Sequence, residues 1–192
     1  MSQYSFLIVH GLGGSGPDHW QTWLAQELRQ KNYHVCYPTF TEFDSPNKEV
    51  WLKELTAAIQ TIPENQQLIV VTHSLGCLLW MHYAALNNKR IAKRVILVAP
   101  PSPEIVLKEA TSFYPVPLEK RNLSRTGEET LFVHSSNDPY CHQQHRERYM
   151  TMGVPSIIFP KMGHINAKSG HGKWSWILDQ CLAADNASIL VY

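Results

Sequence analysis

The residues best suited to chemistry sit in Val70-Val71-Thr72-His73-Ser74-Leu75-Gly76, where a strand-like run meets a serine and an apolar helical stretch begins at once. A small-x-Ser-x-Gly turn lifts a hydroxyl clear of a strand end, and its tight bend leaves little room for bulk on either flank. Gly76 meets that demand; Thr72 stands where a first glycine is usual and is larger than ideal. A serine opening a helix is also an ordinary N-cap, so the motif needs partners. A serine nucleophile requires a base to take its proton and an acid to hold that base in the right tautomer. With the serine at such an elbow, acid and then histidine follow beyond later strands. Ser136-Asn137-Asp138-Pro139 follows the strand-like Thr130–Ser135, and Pro160-Lys161-Met162-Gly163-His164 follows Ser156–Phe159. Ser74, Asp138 and His164 are therefore expected at strand C-termini along one edge of a parallel sheet. The chemistry they suit is acyl transfer through a covalent serine ester.

Rival readings compete for some of the same residues. Gly11, Gly13 and Gly16 satisfy G-x-G-x-x-G after a strand and before a helix, the dinucleotide fingerprint. A ribose-binding acid should end the second strand, yet Tyr37-Pro38-Thr39 carries none before Glu42. The glycines read better as a wide turn. The chain has ten histidines. His134 falls in a strand, His82 and His145 on helices and His142 at a helix start, all suited to core or surface roles. His73 should point away from Ser74 on the pleat. Cys141, His142 and His145 could be written as a metal cluster, but they lack a carboxylate or a second half-site; no metal is expected. His171 rivals His164 as the base, but between Gly170 and Gly172 it suits a surface turn. Trp20, Trp23, Trp51 and Trp174 fall on helical stripes and read as core.

These groups need a scaffold that delivers strand ends to one place. Strand-like runs fall at Phe6–His10, Tyr33–Tyr37, Gln67–Thr72, Arg94–Val98, Thr130–Ser135 and Ser156–Phe159, mostly without polar alternation, as for strands covered on both faces. Helical stripes lie between them: Trp20, Trp23, Leu24 and Leu28 behind Pro17; Val50, Trp51, Leu55, Ala58 and Ile59 behind Ser45-Pro46; and Trp174, Ile177, Leu178, Cys181 and Leu182 near the end. Leu75–Leu86 is apolar nearly all round and should be a buried helix. Alternation of this kind predicts a single α/β domain over residues 1–192. It is a three-layer sandwich whose mostly parallel sheet has six strands in order 2-1-3-4-5-6, with helices on both faces. One stretch breaks the rhythm. Pro100 to about Arg125 carries five prolines and reads either as a long connection around a weak helix near Glu104–Thr111 or as a flap over substrate.

Composition narrows the function. The 192 residues suffice for one substantial core, and 44% hydrophobic with 17% charged residues excludes a disordered chain or a coiled coil. Seventeen Lys and Arg against sixteen Asp and Glu give no one-signed field for nucleic acid or an anionic membrane. Apolar runs are too short to span a bilayer, and the N-terminus lacks the basic and apolar regions of a signal peptide. Cys36, Cys77, Cys141 and Cys181 form no CxxC pair, so reduced thiols and a cytoplasmic location are expected, and the Asn186–Ser188 sequon carries no glycosylation consequence.

Together, His10-Gly11 in the first loop, His73-Ser74-Leu75-Gly76, Asn137-Asp138-Pro139 and Gly163-His164 resemble the α/β-hydrolase superfamily. More narrowly, the length, Asp18-His19-Trp20 with Trp23-Leu24, Thr72 to Cys77, Ser136 to Pro139 and Gly163 to Asn166 resemble the small retinoblastoma-binding-protein-9-like serine hydrolases. That resemblance implies Ser74, Asp138 and His164 as a triad on a reduced α/β-hydrolase fold without a separate lid domain. It also implies a small acyl substrate and no cofactor. The backbone N–H groups of Leu75 and of Leu12 are the expected oxyanion donors. Leu12-Gly13-Gly14-Ser15-Gly16 is more glycine-rich than the first loop of many members, which leaves open which amide there faces the oxyanion. The expected activity is cleavage of small esters or thioesters, with amides also in scope. The alternative is a protein that keeps the fold and serves as a binding scaffold, for a protein partner the sequence does not name.

Overall fold

The computed structural model describes residues 3–183 and contains a six-stranded sheet in the order β2-β1-β3-β4-β5-β6. The strands are β1 (Tyr4–Val9), β2 (His34–Cys36), β3 (Gln67–His73), β4 (Ala92–Val98), β5 (Gly127–Ser135) and β6 (Ser156–Phe159). Every neighbouring pair is parallel, so all six C-terminal ends lie along one edge. The order and layering match the expectation. The Asn186–Ser188 sequon and residues 1–2 of the N-terminal segment lie outside the described residues.

The absence of polar alternation follows from cover on both faces. Leu7, Val9, Val70, Val95, Leu97 and Phe132 join one core with helices α2 (Lys48–Gln60), α3 (Leu75–Leu86) and α4 (Lys120–Thr126). Their sequence neighbours Phe6, Ile8, Ile69, Val71, Ile96 and Val133 join the other, beneath α1 (Trp20–Gln30) and α6 (Ser175–Leu182). Helix α5 (Gln143–Met150) sets Tyr149 against Phe132 on the α3 side. Buried α3 needs no amphipathic stripe because it lies between the sheet and its helical neighbours. His19 caps α1 by accepting from the Gln21 amide through Nδ1 at 3.2 Å, and Asn47 caps α2 by accepting from Glu49 N at 2.9 Å.

Departures from the sequence reading fall mainly in β4, β5 and the proline-rich stretch. β4 and β5 begin at Ala92 and Gly127, earlier than the apolar runs suggest, because charged residues lie at their starts, where Lys93 pairs with Glu128 at 2.8 Å. Arg94 stands opposite Glu129 in the ladder, and its Nε donates to Glu129 Oε2 at 2.8 Å. The stretch from Pro100 holds no helix at Glu104–Thr111. It holds a 3₁₀ segment, Lys108–Phe113, kinked at Ala110, and then the separate helix α4. Seven residues with only Asn122, Leu123 and Thr126 buried are too short to show a stripe. No helix among the described residues is long and apolar enough to cross a membrane.

Candidate active site

Ser74 occupies the bend between β3 and α3 with φ 53° and ψ −123°, a conformation costly for a residue with a Cβ. Neighbours leave it no slack. A Cβ on Gly76 would lie 2.6 Å from the His10 carbonyl oxygen, and one on Gly11 would lie 2.8 Å from Ser74 Cβ. Thr72 is accommodated because its hydroxyl turns to Cys77 Sγ at 3.1 Å.

His164, in the loop after β6, reaches this serine. Its Nε2 is 2.8 Å from Ser74 Oγ, and its Nδ1 is 2.9 and 3.0 Å from the two carboxylate oxygens of Asp138. With a carboxylate at Nδ1, the ring proton sits there and Nε2 accepts from the serine hydroxyl. Asp138 Oδ1 also accepts from the Tyr140 amide at 2.9 Å, and the Tyr140 ring stands 4.5 Å from the imidazole. All three side chains are largely shielded, with Asp138 2% exposed, so the ion pair formed when the base takes a proton is little screened.

The first loop packs against the elbow. Gly13 N donates to Phe43 O at 2.9 Å and Gly14 N to Gly11 O at 3.2 Å, whereas the amides of Leu12 and Leu75 have no protein acceptor among the described residues. His10 holds the loop. Its Nε2 accepts from Phe40 N at 3.0 Å, which leaves the proton on Nδ1 to donate to Gly11 O at 2.8 Å. Burial lowers the His10 pKa, consistent with that neutral form.

His73 points as expected, but it has a neighbour that alternation does not reveal. It does face away from the serine's side of the sheet, toward Trp20 of α1, but that is where the loop carrying His164 lies. Its ring is 5.0 Å from the His164 ring, and its Nε2 is 3.0 Å from the His164 carbonyl oxygen. Complete burial, then the adjacent His164 and His19, pushes its pKa well below the usual value, so it remains neutral and donates. His19 is lowered to about 4 by burial and by the neighbouring histidines. Strand position alone could have flagged His10 and His73, since one directly follows β1 and the other ends β3.

The other candidates fall elsewhere. His171 makes no hydrogen bond to Ser74 or Asp138; its carbonyl accepts from Trp20 N at 3.1 Å and its ring rests near Trp174. Cys141 is buried, its thiol pushed up to about 12, while the His142 and His145 rings stand 6.0 Å apart on α5 and its cap. His134 lies stacked on Phe132 inside the core. A cleft of about 600 Å³ opens over Ser74 and His164. Leu12, Leu107 and Tyr140 give it apolar wall, and Asp18, Glu109 and Lys168 give it charge. Leu107 and Glu109 come from the proline-rich connection, which therefore borders the cleft.

Comparison with known proteins bears on the family and the fold. A family model described as serine hydrolase matches residues 6–182. YdeN of Bacillus subtilis (strain 168), whose name marks it as a candidate hydrolase, is 34% identical over 70 residues, 36% of each chain. The match thus spans about a third of that curated relative's length. The crystal structure of the B. subtilis ydeN product superposes with a TM-score of 0.78 at 18% identity, covering 96% of this chain and 99% of that one. XC6422 of Xanthomonas campestris, described as an α/β serine hydrolase without a lid, superposes at 0.69 with 15% identity, covering 99% and 84%. At such identities these likenesses establish the fold, a six-stranded α/β-hydrolase architecture.

Proposed function

The chain belongs to the serine hydrolase family, and from that premise we propose that it cleaves small esters or thioesters through an acyl-enzyme carried by Ser74. The observation that carries the reading is the continuous chain from Ser74 Oγ to His164 Nε2 at 2.8 Å and from His164 Nδ1 to Asp138 at 2.9 Å, at the floor of an open cleft. Ser74 Oγ attacks the acyl carbon while His164 Nε2 takes its proton. Asp138 holds the Nδ1–H tautomer and stabilises the imidazolium. The carbonyl oxygen becomes an oxyanion facing the amides of Leu75 and Leu12. Their lack of protein acceptors supports that role, and the engaged Gly13 and Gly14 amides favour Leu12 over those two neighbours. Each such donor is worth about 2.7–4 kcal/mol of barrier. Collapse expels the alcohol or thiol with the proton from His164. Water, deprotonated by the same histidine, then releases the acid.

A cleft of about 600 Å³, bordered by the proline-rich connection, suits a small acyl group and a compact leaving group. The test is turnover of short p-nitrophenyl esters and acyl thioesters together with fluorophosphonate labelling, against Ser74→Ala. The expected result is labelling and turnover by the wild type alone. Wild-type turnover no greater than that of Ser74→Ala would refute the reading.

A further inference from the structure

The base sits on a loop that packing alone does not hold. Within residues 161–165 the backbone turns left-handed at Lys161 (φ 53°), Gly163 (φ 58°) and Ile165 (φ 49°), and Lys161 is exposed. Three successive amides of this loop are caught by three successive side chains immediately preceding Asp138. Lys161 N donates to Ser136 Oγ at 2.9 Å, Met162 N to Ser135 Oγ at 2.9 Å, and Gly163 N to Asn137 Oδ1 at 2.8 Å. Asn137 Oδ1 also accepts from Ser135 Oγ at 2.9 Å, which ties two of the three clamps together. On the far side, the His164 and Ile165 carbonyls accept from His73 Nε2 at 3.0 Å and Trp20 Nε1 at 2.7 Å.

We propose that Asn137 is a positioning residue whose carboxamide oxygen, by holding the Gly163 amide, sets the distance from His164 to both Ser74 and Asp138. The inference rests on the reading of Ser74, His164 and Asp138 as the reacting groups. The Asn137 side chain makes no hydrogen bond to any of their side chains; it acts through the residue before the base. Its special value is that it belongs to the same three-residue run as Ser135 and Ser136 and directly precedes the acid. One segment therefore places the carboxylate and templates the loop of the histidine that carboxylate must meet. Gly163 cannot supply this order by itself, because a residue free at positive φ is also free to leave it. Asn137 is exposed, so apolar burial contributes little to its place, and its Nδ2 makes no hydrogen bond among the described residues. The oxygen alone carries the role, and aspartate offers the same acceptor in the same place.

The test compares wild type, Asn137→Ala, Asn137→Asp and Ser74→Ala on a short p-nitrophenyl ester, with thermal unfolding of each. Displacements below about 1 Å in such sites cost up to about 10²-fold. Asn137→Ala is therefore expected to lose between about 10- and 100-fold in kcat with KM changed less than about threefold, while remaining folded at the assay temperature. Asn137→Asp should recover most of that loss. Should the alanine variant not fold, Asn137→Ser, whose hydroxyl stops short of the Gly163 amide, takes its place. Failure of both to fold would overturn the positioning role in favour of a structural one. A wild type well above Ser74→Ala but matched by Asn137→Ala, or an aspartate variant no better than alanine, would overturn the positioning alone. A wild type no better than Ser74→Ala would overturn the catalytic reading and this inference with it.

Discussion

Gly76→Ala adds one methyl group and should damage the site more than many larger changes elsewhere. The new Cβ would stand 2.6 Å from the His10 carbonyl oxygen, 2.7 Å from that of Val9 and 3.0 Å from Val9 Cγ1. Close carbon–oxygen contacts lie near 3.3–3.6 Å, so the approach is short by roughly 0.7–1 Å. The obstructing atoms are mainly backbone at the end of β1, where Val9 pairs with Thr72 of β3 and its carbonyl accepts from Gln21 Nε2 at 2.9 Å, so they cannot yield cheaply. Relief must come from lifting the start of α3, and Ser74 moves with it. A shift of that size would open the 2.8 Å contact between Ser74 Oγ and His164 Nε2 beyond hydrogen-bonding range. Two effects compete for the sign of the stability change. Alanine is better than glycine in a helix by up to about 1 kcal/mol, while overpacking costs about 1–3 kcal/mol or more. Against immovable backbone the clash should win, for a net loss of about 1–2 kcal/mol. For a chain of this size that is a fall of roughly 2–8 °C in Tm, with kcat down on the order of 10²-fold. Thermal unfolding and ester turnover measure both. A Gly76→Ala protein of equal or higher Tm, with kcat within threefold of wild type, would refute the reasoning.

Three further outcomes follow from the same contacts. His164→Ala should lose on the order of 10³-fold or more in kcat, because the triad acts as a unit, whereas His171→Ala should keep most of its turnover; a selective loss in the latter would reassign the base. Arg94→Ala should cost about 3 kcal/mol in urea unfolding, since the buried guanidinium and its hydrogen bonds to Glu129 Oε2 and the Gln180 carbonyl are lost together; an unchanged midpoint would refute it. His134 is held down to about 3 by burial, with Arg146 adding to the shift. Its stabilising neutral form is fully retained above the unfolded value near 6.5 and is lost as pH falls toward 3, and His134→Phe should remove about 1.4 kcal/mol per pH unit from the decline in stability below pH 6. Urea titrations at several pH values check this, and an unchanged slope would contradict it.

What the sequence shows of this molecule follows from how local each signal is. The central strands were readable because both faces are covered, which writes uninterrupted apolar runs into Leu68–Val71 and Val95–Val98. The starts of β4 and β5 were hidden because the charged Lys93, Glu128 and Glu129 occupy them, and the pairs that Lys93 and Arg94 make with residues 35 positions away leave no local trace. Helix α4 was hidden because seven residues cannot display a period. The serine, acid and base candidates were legible because chain order and strand ends constrain them. The groups that hold them were not, since Ser135, Ser136 and Asn137 accept from the backbone amides of residues 161–163, and backbone donors have no sequence signature. His73 shows the limit of alternation, which gave its face correctly and said nothing of what occupies that face.

The distribution of strain explains why so much support is gathered at one edge. Of the non-glycine residues at positive φ, Ser74, Ala99, Lys161 and Ile165 all lie just beyond the C-terminal ends of β3, β4 and β6. Each such conformation costs about 1–3 kcal/mol and persists only where surroundings over-determine it. Each of the four is held by a specific hydrogen bond. Ser74 N donates to Val98 O at 2.9 Å, Ala99 N to Val133 O at 2.7 Å and Lys161 N to Ser136 Oγ, while fully buried Ile165 is fixed through its carbonyl by Trp20. Three of these four tethers end on sheet strands or the segment leaving β5, so the stable part of the molecule absorbs the cost of its least favourable turns. A hydroxyl standing clear of its strand and an imaganable reach to it from a loop ninety residues away require such turns. The parallel sheet supplies the common edge, and the tethers turn that edge into a fixed geometry.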